Sequence, residues 1–250
     1  MWPFTRNAPN HATVDPPAAN PAYFGSVIAL NGQPGSGKTF LACKLIFSAG
    51  FRHRLPIILQ DTRGDLAVYH AAAIRTLERK SDRISELKLS FLRDKQRCKF
   101  LRERDGSGFL ALLEHYSKVS SKEVNRTPKA YVLIDEGGVL RRGDEGLWDI
   151  AAGFRNSGIT AYTSVHKDTD ISRVGRQCLR AVILQRPYEG SVEFFGVDID
   201  AMECSAPMSN TVTYIDSLKR ELVRFDIEKD QIPEVLTHPV QPTRVKGLEF

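Results

Sequence analysis

An α/β fold with a mainly parallel central sheet is what this sequence predicts, on three observations. Short apolar runs of strand length recur at residues 26–30, 55–60, 130–134, 159–165 and 178–185, with helical or polar stretches between them. The first run passes straight into Gly32-Gln33-Pro34-Gly35-Ser36-Gly37-Lys38-Thr39 and then into residues 40–47, whose apolar positions have helical spacing. The run at 130–134 ends in two carboxylates, Asp135 and Glu136. Continuous apolar strands belong in a sheet covered on both faces, and helices between strands make such a sheet parallel.

At 250 residues, with 42% hydrophobic and 26% charged residues, the chain suits one α/β domain with extensions and can fill a sizeable core. A net charge of +5 suggests a polyanionic partner, although mild basicity is common among soluble proteins. Cys43, Cys98, Cys178 and Cys204 are scattered, with no C-x-x-C or Cys/His cluster. That argues against a zinc site or a disulfide framework and for reduced thiols. No apolar stretch approaches membrane-spanning length, and the N-terminus lacks the apolar segment of a signal peptide.

Taken in order, residues 1–22 are rich in Pro, Ala and Asn and read as a flexible arm. A core domain spans 23–190. Its first helix ends at Gly50, a natural C-cap. Strand 55–60 begins with Pro56 near its start, and Asp61-Thr62-Arg63-Gly64-Asp65 follows at the strand end that faces the ligand crevice in open α/β sheets. A helix is expected over 66–80. Residues 75–104 form a basic helical segment with eleven Lys or Arg against five Asp or Glu, an excess of six. Such a concentration suits a phosphate-backbone surface, and equally a solvated helix face, since acids are interspersed. Within it, 98–102 alternates like a short strand. A helix over 106–116 turns Phe109, Leu110, Leu112 and Leu113 inward, and a polar linker covers 117–129. Past the strand at 130–134, a helix is expected over 147–155, a turn at Asn156-Ser157-Gly158, a strand over 159–165 ending at His166, and a strand over 178–185. The remainder, 191–250, reads as a C-terminal extension: a strand over 192–197, a short helix or hairpin over 214–230, and a tail marked by Pro233, Pro239 and Pro242.

The stretch from Gly32 to Thr39 reads G-x-x-x-x-G-K-T in strand–loop–helix context, the pattern of a nucleotide phosphate loop, or Walker A motif. Its glycines let the backbone curl into a nest whose N–H groups, with the helix N-terminus, face the β-phosphate. Lys38 supplies charge for the β- and γ-phosphates, and the Thr39 hydroxyl suits Mg²⁺. The run ending in Asp135 and Glu136 looks like a Walker B motif. There Asp135 organises the metal, directly or through water, and Glu136 is the general base. Together they imply ATP and Mg²⁺. A GTPase would carry an N-K-x-D motif, absent here. Small-molecule kinases usually lack the paired carboxylates and add an Arg-rich lid, a part 75–104 leaves open.

The order of these motifs resembles the FtsK–HerA superfamily of nucleic-acid-pumping ATPases, most of all the genome-packaging ATPases of membrane-containing icosahedral viruses. In that family Walker B is followed by a helix and then an Arg-x-x-Gly-Ile step into a strand, here Arg155-Asn156-Ser157-Gly158-Ile159. That strand ends in a polar sensor, usually Gln, a position that falls on His166. A neutral His also offers a donor and an acceptor, but from different nitrogens and with different reach. The resemblance covers roughly residues 25–186, as a pattern of motifs more than as continuous identity. It implies a RecA-like P-loop NTPase core and an ATP-driven translocase of DNA, read as double-stranded cargo. It further implies a homo-oligomeric ring, read as a hexamer, that docks at a capsid vertex or on viral membrane proteins, and a location in the virion and host cytoplasm. An arginine from the neighbouring subunit would complete each site, with Arg155 as first candidate and Arg173, Arg176, Arg180 and Arg186 as rivals. The competing readings are a Zot-like phage assembly ATPase, which usually carries a membrane-spanning helix, a small-molecule P-loop kinase and a non-catalytic nucleotide-binding scaffold.

Overall fold

The computed structural model describes residues 26–61, 63–102, 108, 111–112, 114–115, 129–136, 141–142, 145–146, 158–166, 170–171, 179–185, 211–216, 221–226 and 236. Strand β1 (Ser26–Asn31) is buried along its whole length, as the five apolar or small residues from Ser26 to Leu30 require of a central strand. Helix α1 (Lys38–His53) follows the phosphate loop, and β2 (Ile57–Gln60), α2 (Asp65–Glu78), α3 (Arg83–Arg93) and β3 (Cys98–Leu101) come next. Then come β4 (Ala130–Ile134), the short antiparallel pair β5 (Arg141–Arg142) and β6 (Glu145–Gly146), and β7 (Ile159–Val165). The described chain closes with β8 (Leu179–Leu184), β9 (Thr211–Asp216) and β10 (Glu221–Asp226).

Eight of these strands form one sheet in the order β10-β9-β8-β1-β7-β4-β2-β3. The six from β8 to β3 are parallel, while β9 and β10 join antiparallel. β1 lies between β7 and β8, so the loop after it opens at the strand ends shared with β4 and β7, where ligands bind in open α/β sheets. Side chains of β1 alternate between two cores. Ile28 and Leu30 pack with Leu41, Leu45 and Ile46 of α1 and with Leu133 and Tyr162. Val27 and Ala29 pack on the other face with Val132, Ala161, Val182 and Ile171, with Leu112 beside them. Among the described residues no helix is long and apolar enough to cross a membrane.

Three expectations need correcting. Gly50 does not end the first helix. The helix runs on to His53, and Arg54, at φ 55°, is the left-handed cap. Gly50 instead permits close packing, since a Cβ there would lie 2.4 Å from Ile57 Cγ2 and 3.2 Å from Phe91 Cζ. The basic segment 75–104 is not helical throughout: it holds the end of α2, all of α3, and then, where a short strand was expected over 98–102, β3, which pairs with β2 as the sheet's edge. Apolar Cys98, Phe100 and Leu101 drive that last part into the sheet, and exposed Lys99 charges the open edge. Between the helix and hairpin readings of 214–230, the hairpin is the observed one. It begins earlier, at Thr211, and continues the main sheet through β8. Further along, Leu236 is fully buried, and its carbonyl accepts the hydroxyl of equally buried Tyr162. The expected elements over 147–155 and 192–197 lie outside the described residues.

Candidate nucleotide site

The loop that leaves β1 is shaped by its glycines. Gly35 and Gly37 hold φ of 74° and 90°, a region in which a side chain is strained. Gly32 is pressed against β8, where a Cβ would lie 1.8 Å from the Gln185 carbonyl oxygen. Lys38, the first residue of α1, is buried and folds back over the loop. Its Nζ donates to the Gly32 and Gln33 carbonyls at 2.8 and 2.9 Å. Burial holds the ammonium's pKa below the usual lysine range, while Asp135 and Glu136 pull it the other way. The acidic pair thus shares the lysine's side of the sheet.

Beside the lysine, one small hydrogen-bonded knot joins the start of α1 to the ends of β4 and β7. The Thr39 hydroxyl donates to Asp135 Oδ1 at 3.2 Å, and the Ser164 hydroxyl donates to the same oxygen at 2.6 Å. The Glu136 N–H donates to Ser164 Oγ at 2.7 Å. That bond holds Glu136 at φ 53°, an uncommon conformation for a residue with a Cβ, and turns the chain sharply after Asp135. His166 stands between the two charges, its Nδ1 3.4 Å from Lys38 Nζ and its Nε2 3.6 Å from Glu136 Oε1. Its backbone N–H donates to Asp170 Oδ2 at 3.2 Å. Lys38, Thr39, Asp135, Glu136 and His166 therefore meet at one place. They line a cavity of about 350 Å³ together with Pro34, Gly35, Gly37, Phe40, Asp65, Tyr69 and Ser164.

Thr39 and Asp135 offer a hydroxyl and a carboxylate oxygen to a shared point, the donor set of a hard cation that keeps waters and phosphate oxygens as its other ligands. Among the described residues no cluster of three or more His, Cys, Asp or Glu forms an all-protein metal cage, so Mg²⁺ fits here only as a companion of a phosphate. Arg155 lies outside the described residues, as do Arg173, Arg176 and Arg186. Arg180 sits near the start of β8, at the sheet end away from this cavity within its own subunit.

Three contributors carry roles that sequence reading did not assign, although it placed Asp61 and Arg63 at the crevice end of β2. Ser164 looked like one more residue of a buried strand, although a hydroxyl one residue before the strand's end was a hint. Asp61, only 2% exposed, accepts from the backbone N–H groups of Gly64, Leu66 and Ala67 at 2.9, 3.1 and 3.1 Å, and so fixes the turn into α2. From that turn Arg63 reaches Glu136 Oε2 at 2.7 Å. An Asp three residues before a Gly at a strand end is the pattern that could have flagged this turn.

No protein-family model matches the sequence, and no curated protein matches it by sequence. Solved structures do match its fold. The genome packaging NTPase B204 of Sulfolobus turreted icosahedral virus 2, in complex with AMP, superposes with a TM-score of 0.53 at 15% identity, over 83% of this chain and 98% of its own. B204 of Sulfolobus turreted icosahedral virus, a DNA-packaging ATPase, gives a TM-score of 0.53 at 12% identity, over 80% and 97%. EssC (ATPases 2 and 3) of Geobacillus thermodenitrificans gives a TM-score of 0.55 at 13% identity, over 94% of this chain and 50% of its own. Likeness at such identities is likeness of fold, and the fold is that of a RecA-like P-loop NTPase with a mostly parallel central sheet.

Proposed function

We propose that the protein is an ATP-hydrolysing DNA translocase, a motor that packages a viral genome into a preformed capsid. The observation that carries the catalytic part is the knot Thr39–Asp135–Ser164–Glu136 set beside Lys38. In this reading the triphosphate lies in the nest from Gly32 to Thr39. Lys38 leaves its loop carbonyls for the β- and γ-phosphates, which compensate the charge that burial disfavours. Thr39 and Asp135 would hold Mg²⁺, which would supply charge neutralisation at the phosphates when bound. Glu136 takes the proton of a water whose oxygen attacks the γ-phosphorus as the bond to the β–γ bridging oxygen breaks. His166 senses the γ-phosphate from between Lys38 and Glu136.

The motor part is supported by the packaging ATPases among the structures of like fold, by the motif order and by the mostly exposed basic residues of 75–102. A ring in which a neighbour's arginine, Arg155 first among the candidates, completes each site follows the same resemblance. Phosphate release from ATP, measured with and without duplex DNA over a range of salt, tests it. Stimulation by DNA that fades as salt rises is expected of the motor. A monomer that phosphorylates a metabolite and ignores DNA would replace it with the kinase reading, and ATP binding without turnover would leave the scaffold.

A further inference from the structure

A second concavity, of about 340 Å³, lies between α1, α2 and α3 and shares only Phe40 and Tyr69 with the nucleotide cavity. One wall is a stripe of α1, where Phe40, Phe47 and Phe51 recur at helical spacing over about 16 Å of axis. On α2, Ala72 and Ala73 leave the trough open where larger side chains would close it. The phenylalanines are braced and do not swing in to fill the space. Phe40 packs on Tyr69, Phe47 edge-on to His70 and Phe51 edge-on to Phe91, each ring held by one from another helix. His70 is fixed in turn, its Nε2 2.9 Å from the Leu92 carbonyl oxygen. Walls held this way make a pre-formed pocket.

Its charge has one sign. Lys44 and Lys88 line it, and among the described residues no Asp or Glu does. The Lys88 ammonium stands 5.8 Å from the Phe51 ring centroid, which places it over one end of the aromatic stripe. Burial raises the Cys43 thiol and the Tyr69 hydroxyl above their usual ranges, so neither adds negative charge. An apolar trough flanked by cations alone selects an apolar tail with an anionic head. Size narrows the choice further. The volume is at the small end of ligand pockets and holds one small molecule, whereas a docked partner helix needs a longer groove and far more buried surface. We propose that this groove binds a free medium-chain fatty carboxylate, its acyl chain along the Phe40–Phe51 stripe and its carboxylate at Lys44 and Lys88. Lys38, Asp135 and Glu136 take no part in it.

The test is isothermal titration of the full chain with sodium decanoate, kept below micelle formation. Saturable binding of one molecule per chain is expected, with a Kd of about 1 mM or tighter, as a ligand of roughly twelve heavy atoms can reach. Lys88→Gln should weaken it about threefold to fivefold, and Lys44→Gln/Lys88→Gln about tenfold. Ala72→Phe, which fills the trough from an exposed position, should abolish it while melting close to wild type. If that variant melts early, the lysine variants decide. Decylamine, with the same tail and a cationic head, should bind at least about tenfold more weakly than decanoate. Saturating MgATP should leave one decanoate bound. No saturable binding overturns the proposal, as does an affinity indifferent to both lysines or equal for decylamine, which is apolar adsorption. Complete displacement by MgATP overturns it by placing the carboxylate in the phosphate nest. A chain that ignores decanoate but changes its sedimenting mass on Ala72→Phe overturns it in favour of a second copy as the occupant.

Discussion

Two polar regions of this molecule differ in kind. At the ends of β1, β4 and β7 the charged groups are few, largely shielded from solvent, and bound to one another: Lys38 to its loop carbonyls, Thr39 and Ser164 to Asp135, Ser164 to the Glu136 backbone. Along 75–102 the charges are many, mostly exposed, and tied only loosely. Arg93 meets Glu78 at the surface, Arg97 sits 3.8 Å from Asp94, and Lys88 rests over the Phe51 ring. The lesson is about cost. In the first region each removed group leaves a partner unsatisfied in low dielectric, whereas in the second, water replaces what is lost.

Experiments can break or sharpen that contrast, and the largest effect is expected at Gly32. Ala there would put its Cβ 1.8 Å from the Gln185 carbonyl oxygen, a backbone atom that cannot swing away. The expected cost is about 4 kcal/mol or more, read as a collapse of the thermal transition and loss of nucleotide binding. An alanine variant that melts like wild type would show the loop to be softer than its packing suggests. Glu136→Gln keeps the shape and removes the proposed base, so turnover should drop at least about 100-fold while ATP still binds. Ser164→Ala leaves the Glu136 N–H without its acceptor and should cost about 1–3 kcal/mol in urea unfolding, with a slower turnover. The smallest effects belong to the basic region. Lys95→Ala or Lys99→Ala should leave basal turnover and stability unchanged, and each phosphate contact removed should lower the slope of log K for duplex DNA against log salt by about 0.9. If single neutralisations there cut ATP turnover as Ser164→Ala does, the two regions are not of different kinds.

The same contrast sets what could be read before any coordinates existed. The phosphate loop and the acidic pair were legible because their geometry is local: eight consecutive residues make the nest, and two carboxylates mark one strand's end. Central strands were legible because burial on both faces leaves unbroken apolar runs. Gly50 was misread because local pattern cannot distinguish a glycine that ends a helix from one that lets a helix approach Ile57 and Phe91. The partners of Ser164 and Arg63 were not legible because they come from other strands, 29 and 73 residues away in sequence numbering, and only the sheet order brings them together. The placement of 211–226 at the sheet's far edge is likewise a property of pairing with β8, not of the hairpin itself.

Tyr162 and Leu236 carry a practical warning for anyone shortening this protein. The tyrosine's ring lies deep against the first helix's layer, and burial holds its hydroxyl well above the ordinary phenol range, so it stays a proton donor at every working pH. Its acceptor is a carbonyl from near the chain's end. Trimming the chain back past that leucine would strip a plug from the interior and strand a phenol with nothing to donate to, so a fragment cut at the last strand is expected to aggregate rather than fold.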